Sequence, residues 1–238
     1  MYTLERLKIR LREINQMGYV RTHRSGPTGI GKTLEDLLGI AENNIAGADL
    51  DHLGELKSCR NGQISMVTLF TKSPSPPRVN TALLESYGYV DPTRGGRKIL
   101  HTTLNGVNYN TVNGTPYGFK VEVRGSRLYL LSNFPTQVNA YWEREDLRYA
   151  FESKLPRLIF VKANSRGAGR NEEFHFVEAY HLEGFSFEQF EDLLEQGIIK
   201  IDIRIGQYPD GRTHDHGTAF RIMNDRIDDL FENKIRLL

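Results

Sequence analysis

A mixed α/β fold, with helices and strands interleaved but no strict βαβ period, is what this sequence predicts. Three observations carry that reading. Residues 4–17 place Leu4, Leu7, Leu11 and Ile14 at helical spacing. Ile198 to Ile205 alternates apolar and polar side chains with period two. Residues 98–131 hold β-forming runs punctuated by Asn-Gly pairs at 105–106 and 113–114, which mark turns. At 238 residues the chain suffices for one domain, or one domain with two lobes. Apolar (39%) and charged (26%) fractions are those of a globular protein, which argues against disorder, collagen and coiled coil.

Taken in order, the opening helix is expected to end at Gly18, and a Gly- and Thr-rich loop (22–32) leads to a second helix starting near Thr33 with Leu34, Leu37 and Leu38 inward. Strands are expected at 53–58 and 64–70, then a Ser-Pro turn at 73–77 and a short helix near 80–88. Ile99-Leu100, Phe119 to Val123 and Arg127 to Leu131 read as strands. A helix at about 143–153 precedes the apolar run Leu158-Ile159-Phe160-Val161, a buried strand by composition. A Gly/Arg loop (164–171), a strand at 173–182 and a helix at 187–195 follow. In 198–205 the isoleucines 199, 201, 203 and 205 share one face, and Lys200, Asp202 and Arg204 the other. Thr213 to Ile222 is its expected partner strand, and Asn224 is placed to cap a closing helix.

Residues 49–57, Asp-Leu-Asp-His-Leu-Gly-Glu-Leu-Lys, hold the chemistry. On a strand, Glu55 and Lys57 project together while Leu56 turns into the core. Asp49 or Asp51 supplies a second carboxylate. Two carboxylates and a backbone carbonyl are hard oxygen ligands suited to Mg²⁺, which keeps several waters and binds phosphate oxygens. A lysine beside them orients or deprotonates a water and offsets transition-state charge. An acid, a spacer and Glu-x-Lys form the signature of PD-(D/E)XK nucleases; a surface strand bearing a charge pair gives the same residues.

Gly26-Pro27-Thr28-Gly29-Ile30-Gly31-Lys32-Thr33 matches the P-loop pattern G-x-x-x-x-G-K-[ST]. A P-loop needs a buried strand directly before it, whereas residues 19–25 read Tyr-Val-Arg-Thr-His-Arg-Ser. A Gly-rich loop entering a helix is the plainer expectation. Near the C-terminus, Asp202, Arg204, His214, His216, Thr218 and Arg221 form a polar set. Arginine donates bidentately to guanine, aspartate accepts from cytosine N4, and histidine does either. Zinc chelation by His214 and His216 with Asp215 is the rival, and a salt-bridged surface hairpin the plain alternative.

A net charge of +1 argues against a generic polyanion binder, but its distribution is uneven. No acid occurs between Ser58 and Leu84, Pro92 and Val121, or Leu155 and Asn171, where Arg60, Lys72, Arg78, Arg94, Arg97, Lys98, Arg157, Lys162, Arg166 and Arg170 lie. Such segregation suits a positive cleft; solvated loops rich in Lys and Arg produce it too. One cysteine, Cys59, leaves no internal disulfide and fits a reducing cytoplasm, no apolar run has the length of a membrane span, and the opening Met-Tyr-Thr-Leu-Glu-Arg lacks a signal-peptide layout.

Together, Gly29 to Leu38, Glu55-Leu56-Lys57, Thr68 to Pro74, Asp202 to Gly206 and Thr213 to Arg221 resemble, in order and over most of the chain, the MvaI/BcnI family of type II restriction endonucleases, its MvaI branch in particular. The resemblance implies a MutH-like PD-(D/E)XK fold, an α+β single domain (1–238) with two lobes around a DNA cleft, 1–155 mostly catalytic and 156–238 mostly recognition. It implies that Asp49 and Glu55 hold the metal, with Lys57 and Glu35 assisting. Asp202, Arg204, His214, Asp215, His216 and Arg221 are then base contacts, with Thr71 and Lys72 also on the DNA. One departure is the spacing: relatives have four residues between Asp and Glu, whereas here five follow Asp49 and three follow Asp51. Counting forward from Asn44 favours Asp49.

The family consists of monomers that cut duplex DNA at CC-N-GG-type pseudopalindromes, nicking one strand and then the other. Mg²⁺ is the implied cofactor, with Mn²⁺ substituting and Ca²⁺ supporting binding without cleavage, and no obligatory protein partner or membrane is implied. Histidines of the BcnI branch fall at Thr71 and Ala219, so their absence suggests A·T at the central pair, CCWGG. Two other classes stay open: a partner-activated nicking endonuclease of the mismatch-repair type, and a P-loop nucleotide-binding protein.

Overall fold

The computed structural model describes residues 2–40 and 48–238, and of Asp51 the backbone alone. Helix α1 (Leu4–Gln16) opens on Thr3, whose Oγ1 accepts the Arg6 N–H at 3.2 Å, and it buries Leu7, Leu11 and Ile14 completely. Strand β1 (Val20–Arg21) is short. Helix α2 (Gly29–Leu38) starts at Gly29 rather than near Thr33, so the last four residues of the expected loop are helix. The reason is local. Thr33 Oγ1 donates back to the Gly29 carbonyl at 2.8 Å, and a Cβ on Gly29 would lie 2.2 Å from the Arg24 carbonyl oxygen.

Then come β2 (Glu55–Arg60), β3 (Met66–Thr71), α3 (Val79–Tyr87), β4 (Tyr89–Asp91), β5 (Arg97–Leu104), β6 (Phe119–Arg124), β7 (Arg127–Ser132) and β8 (Ala140–Glu143). Helix α4 (Arg144–Glu152) precedes β9 (Arg157–Arg166), β10 (Glu173–Glu183) and α5 (Phe187–Glu195). The chain closes with β11 (Lys200–Gln207), β12 (Thr213–Asp215), β13 (Ala219–Met223) and β14 (Asn233–Arg236). Strands β1, β4, β8 and β14 lie outside the sequence expectations. Strand β9 runs through Arg166, into the expected 164–171 loop, because Arg166 pairs with Glu173 across the ladder and by a 2.6 Å ion pair. No closing helix capped by Asn224 forms. A 3₁₀ turn (Asn224–Leu230) stands there, and the Asn224 side chain ties to Ser65 N–H and the Gln63 carbonyl instead.

The chain folds into two compact units that interleave in sequence, Met1–Val67 with Glu152–Ser186 and Met223–Leu238, and Thr68–Phe151 with Phe187–Ile222. Both units are discontinuous in sequence. In the first unit a sheet runs β1-β10-β9-β2, with β14 also on β10. Strand β2 is parallel to β9, in register Glu55↔Leu158 to Arg60↔Ala163. Strand β9 is covered on both faces, which is why Leu158 to Val161 is a continuous apolar run. Helices α1 and α2 bury Leu7, Leu11, Ile14, Ile30, Leu34 and Leu38 against Leu56, Ile159, Val161 and Phe176.

In the second unit one sheet runs β3-β13-β11-β5-β4, with β12 also on β11, and another runs β6-β7-β8. The four alternating isoleucines, 199 to 205, are fully buried, as period two requires. The expected single partner strand of β11 is two: β13 pairs with Lys200–Asp202 and β12 with Ile205–Gln207. Gly217, at φ +88°, breaks it, and Asp215 Oδ1 accepts the Gly217 N–H at 2.7 Å. No helix among the described residues is long and apolar enough to cross a membrane.

Candidate active site

Glu55 begins β2 and is 2% exposed. Its Oε1 accepts from two ammonium groups, Lys57 Nζ at 2.7 Å and Lys154 Nζ at 3.0 Å. Its Oε2 is buried without a hydrogen-bond partner in the protein. A buried carboxylate oxygen left unsatisfied is costly unless something binds it. Asp49 approaches the same strand, and its Oδ2 accepts the Leu56 N–H at 3.1 Å. The Asp49 side chain keeps access to solvent, yet the surrounding protein raises its carboxyl above the usual range, first by desolvation and then through the negative charge of Glu55. Lys57 and Lys154 pull it the other way.

Gly54 makes this corner possible. Its φ is +105°, and a Cβ there would sit 2.3 Å from the Arg157 carbonyl oxygen. The side chain of Asp51, the alternative second acid, and Asn44, from which the spacing was counted, lie outside the described residues. Glu35 is brought to β2 as well. Its Oε1 and Ser58 Oγ flank Gly31, each just under 4 Å from where a Cβ would stand.

Lys154 escaped the sequence reading. It follows α4, 99 positions from Glu55. The signal lay in strand pairing: parallel β2 and β9 start together, and the residues ahead of Leu158 arrive beside Glu55.

Gly26 to Thr33 does not form a phosphate cradle. The carbonyls of Pro27 and Gly26 point at the Arg60 guanidinium (3.3 and 3.4 Å), which also grips Glu172 with two bonds of 2.6 and 2.8 Å. Thr33 is fully buried, its hydroxyl taken by Gly29 O and His23 N–H. Lys32 pairs with Asp36 at 2.8 Å, and with His23 on the same carboxylate it holds Asp36 below the usual range.

The C-terminal polar set gathers in the second unit. Asp202 accepts from Arg221 Nη1 at 2.7 Å and from Thr103 Oγ1 at 3.0 Å. Arg204 donates through Nη2 to the Gly217 carbonyl at 3.1 Å, while its buried Nε has no hydrogen-bond partner. Across the ladder Arg204 faces His101 and Asp202 faces Thr103. An open concavity of about 600 Å³ is lined by His101, Thr103, Asn110, Thr111, Asp202 and Arg204. His101 is a second residue that sequence reasoning missed. Burial, then the Arg94 and His216 charges, hold its pKa below the ordinary histidine value. His216 is lowered likewise, by burial and then by His214.

His214 and His216 rings lie 4.2 Å apart, edge to face. Asp215 does not complete a metal site with them: Ser73 Oγ (2.6 Å), Asn80 Nδ2 (2.7 Å) and Gly217 N–H occupy its carboxylate. No group of three or more His, Cys, Asp or Glu among the described residues is arranged to hold a metal ion. The zinc alternative therefore has no donor set. Thr218, expected on the polar face, is fully buried. Thr71 is exposed at the end of β3, beside Gly217, and Lys72 Nζ lies 3.4 Å from Asp146.

An α+β chain with an acid-Glu-x-Lys corner and a polar reading hairpin has the parts of a restriction endonuclease. The chain belongs to the MvaI/BcnI restriction endonuclease family, whose model matches residues 8–231. It is a type II, site-specific deoxyribonuclease. Among solved structures it is similar to a complex of restriction endonuclease MvaI with its cognate DNA substrate, at 33% identity, 100% coverage of both chains and a TM-score of 0.86. It is also similar to restriction endonuclease MvaI in the absence of DNA, at 29% identity over 98% of this chain and 96% of that one, with a TM-score of 0.58. No curated protein matches by sequence.

Proposed function

We propose that this endonuclease hydrolyses duplex DNA at CC-N-GG sites, CCWGG by preference, as a Mg²⁺-dependent cytoplasmic monomer that nicks each strand in turn. The buried, unpartnered Glu55 Oε2 beside Asp49 is the observation that carries the metal dependence. Two oxygen donors and a preference for retained waters fit Mg²⁺, with Mn²⁺ able to substitute and Ca²⁺ supporting binding alone. When bound, the cation supplies charge neutralisation at a phosphodiester and a more acidic water. Asp49 and Glu55 hold it, and the depth of Glu55 excludes bulk water from one side. Lys57 orients the attacking water or steadies developing negative charge, and Glu35 assists.

Base reading belongs to Asp202, Arg204, His214, Asp215, His216 and Arg221, with Thr71 and Lys72 beside them. Asp202 and Arg221 brace each other, so the guanidinium and carboxylate stand pre-oriented before DNA arrives. Asp215 contributes by shaping the turn that carries both histidines. A relative solved on its cognate DNA supports duplex DNA as the substrate. The test is incubation of pure protein with Mg²⁺ and unmethylated plasmid of known sequence, without nucleotide, followed by sequencing of the ends. Fragments sharing a CC-N-GG core, through an open-circle intermediate, are expected. A plasmid left intact despite such sites would refute autonomous cutting there and point to another site or a required partner.

A further inference from the structure

We propose that Lys154 is a positioning residue, an internal counter-cation that holds Glu55 through Oε1 and sets how tightly the Asp49–Glu55 pair takes a divalent ion. The inference rests on the reading of Glu55 as a metal ligand. Two ammonium groups share the one oxygen, Lys57 at 2.7 Å and Lys154 at 3.0 Å, while Oε2 remains without a partner. The Glu-x-Lys signature accounts for only one of them.

Their origins differ. Lys57 belongs to β2, two residues from Glu55 on the same face. Lys154 arrives from the segment between α4 and β9, beside a cavity of about 100 Å³ lined by Ala48, His52, Gly54 and Arg157. A lysine that serves a reacting phosphate or water has to release Glu55. Lys154 would then keep the carboxylate in place, so the two lysines divide orientation from chemistry. The same ammonium opposes entry of a divalent cation, since like charges within a few ångströms repel strongly in a site partly closed to water. With Lys57 still bonded to Oε1, removing Lys154 costs little orientation, and the charge effect dominates.

Calorimetric titration of the DNA-free protein with Ca²⁺ and with Mn²⁺ tests this. Lys154→Met should bind roughly tenfold tighter than wild type, because one like charge no longer repels the ion. Lys154→Gln, uncharged but still a donor, should follow it, and provides the comparison if the methionine variant does not fold. Lys154→Arg should restore wild-type affinity. Lys8→Met, which removes an equal charge from the α1 surface where Lys8 pairs with Glu5, should change nothing. In EDTA the Lys154→Met protein should melt below wild type and recover with Mn²⁺. Unchanged or weaker binding in both uncharged variants, with Glu55→Gln losing binding, would overturn the role of Lys154 and leave Glu55 as a ligand. Wild-type affinity in Glu55→Gln would overturn both.

Discussion

At the start of β2, two carboxylates meet with one buried oxygen unpartnered and Asp49 held above its ordinary pKa. Along β11 and β12 the acids are provided for: Asp202 has Arg221 and Thr103, and Asp215 has Ser73, Asn80 and the Gly217 amide. What lacks a partner there is a donor, Arg204 Nε, with an imidazole nitrogen, His101 Nε2, beside it. In the first region two ammonium groups share Glu55 Oε1 while Oε2 stays unpartnered, an oxygen donor of the kind a divalent cation takes. The second presents a guanidinium donor, Arg204 Nε, 3.9 Å from the Asp202 carboxylate, and guanine O6 and N7 are acceptors such a donor can reach. On the proposed reading, the sheet corner serves chemistry and the hairpin base recognition.

Substitutions that erase the missing partner should do most damage. Glu55→Gln is expected to lower the cleavage rate about a thousandfold or more, given the several kcal/mol that a catalytic metal supplies, measured by plasmid nicking; a loss below tenfold would detach Glu55 from the chemistry. Gly54→Ala attacks the same corner through the backbone. With φ at +105° and a contact of 2.3 Å to the Arg157 carbonyl, it should destabilise the fold by about 3 kcal/mol or more, read from urea melts. Asp215→Ala should cost about 1–3 kcal/mol and blunt cognate preference through the turn; an unchanged melt would make its three hydrogen bonds incidental.

The smallest effect is on pH. Because the folded protein holds the Asp49 proton more tightly than an ordinary aspartate, the metal-free protein loses stability as pH rises through the acid range into the shifted pKa. Asp49→Asn should therefore raise the melting temperature in EDTA at neutral pH, with the gain fading as pH falls below the ordinary value of 3.8. Added divalent cation should reverse the order of the two proteins.

Period-two patterning made both regions legible. Leu56 inward with Glu55 and Lys57 together, and four buried isoleucines opposite Asp202 and Arg204, follow from alternation alone. What stayed hidden depends on pairing between distant segments. Lys154 reaches Glu55 only because β2 and β9 are parallel, and His101 stands beside Arg204 only because β5 is antiparallel to β11. Asp215 carries the residue type of a base contact, and its tie to Ser73 and Asn80, far off in sequence, could not be read from spacing. The Gly26 to Thr33 pattern failed as a P-loop for local reasons that spacing cannot register: the Gly26 and Pro27 carbonyls turn to the Arg60 guanidinium, and Lys32 pairs with Asp36.

The division between cutting and reading is the central claim, and comparing Lys57→Ala with Arg221→Ala tests it most directly. Binding of each to a CCWGG duplex and to a random duplex is measured in Ca²⁺, alongside cleavage in Mg²⁺. The account predicts that Lys57→Ala keeps the wild-type preference for cognate DNA and does not cut, whereas Arg221→Ala loses about 1–3 kcal/mol of that preference. Equal loss of cognate preference in both variants would contradict it.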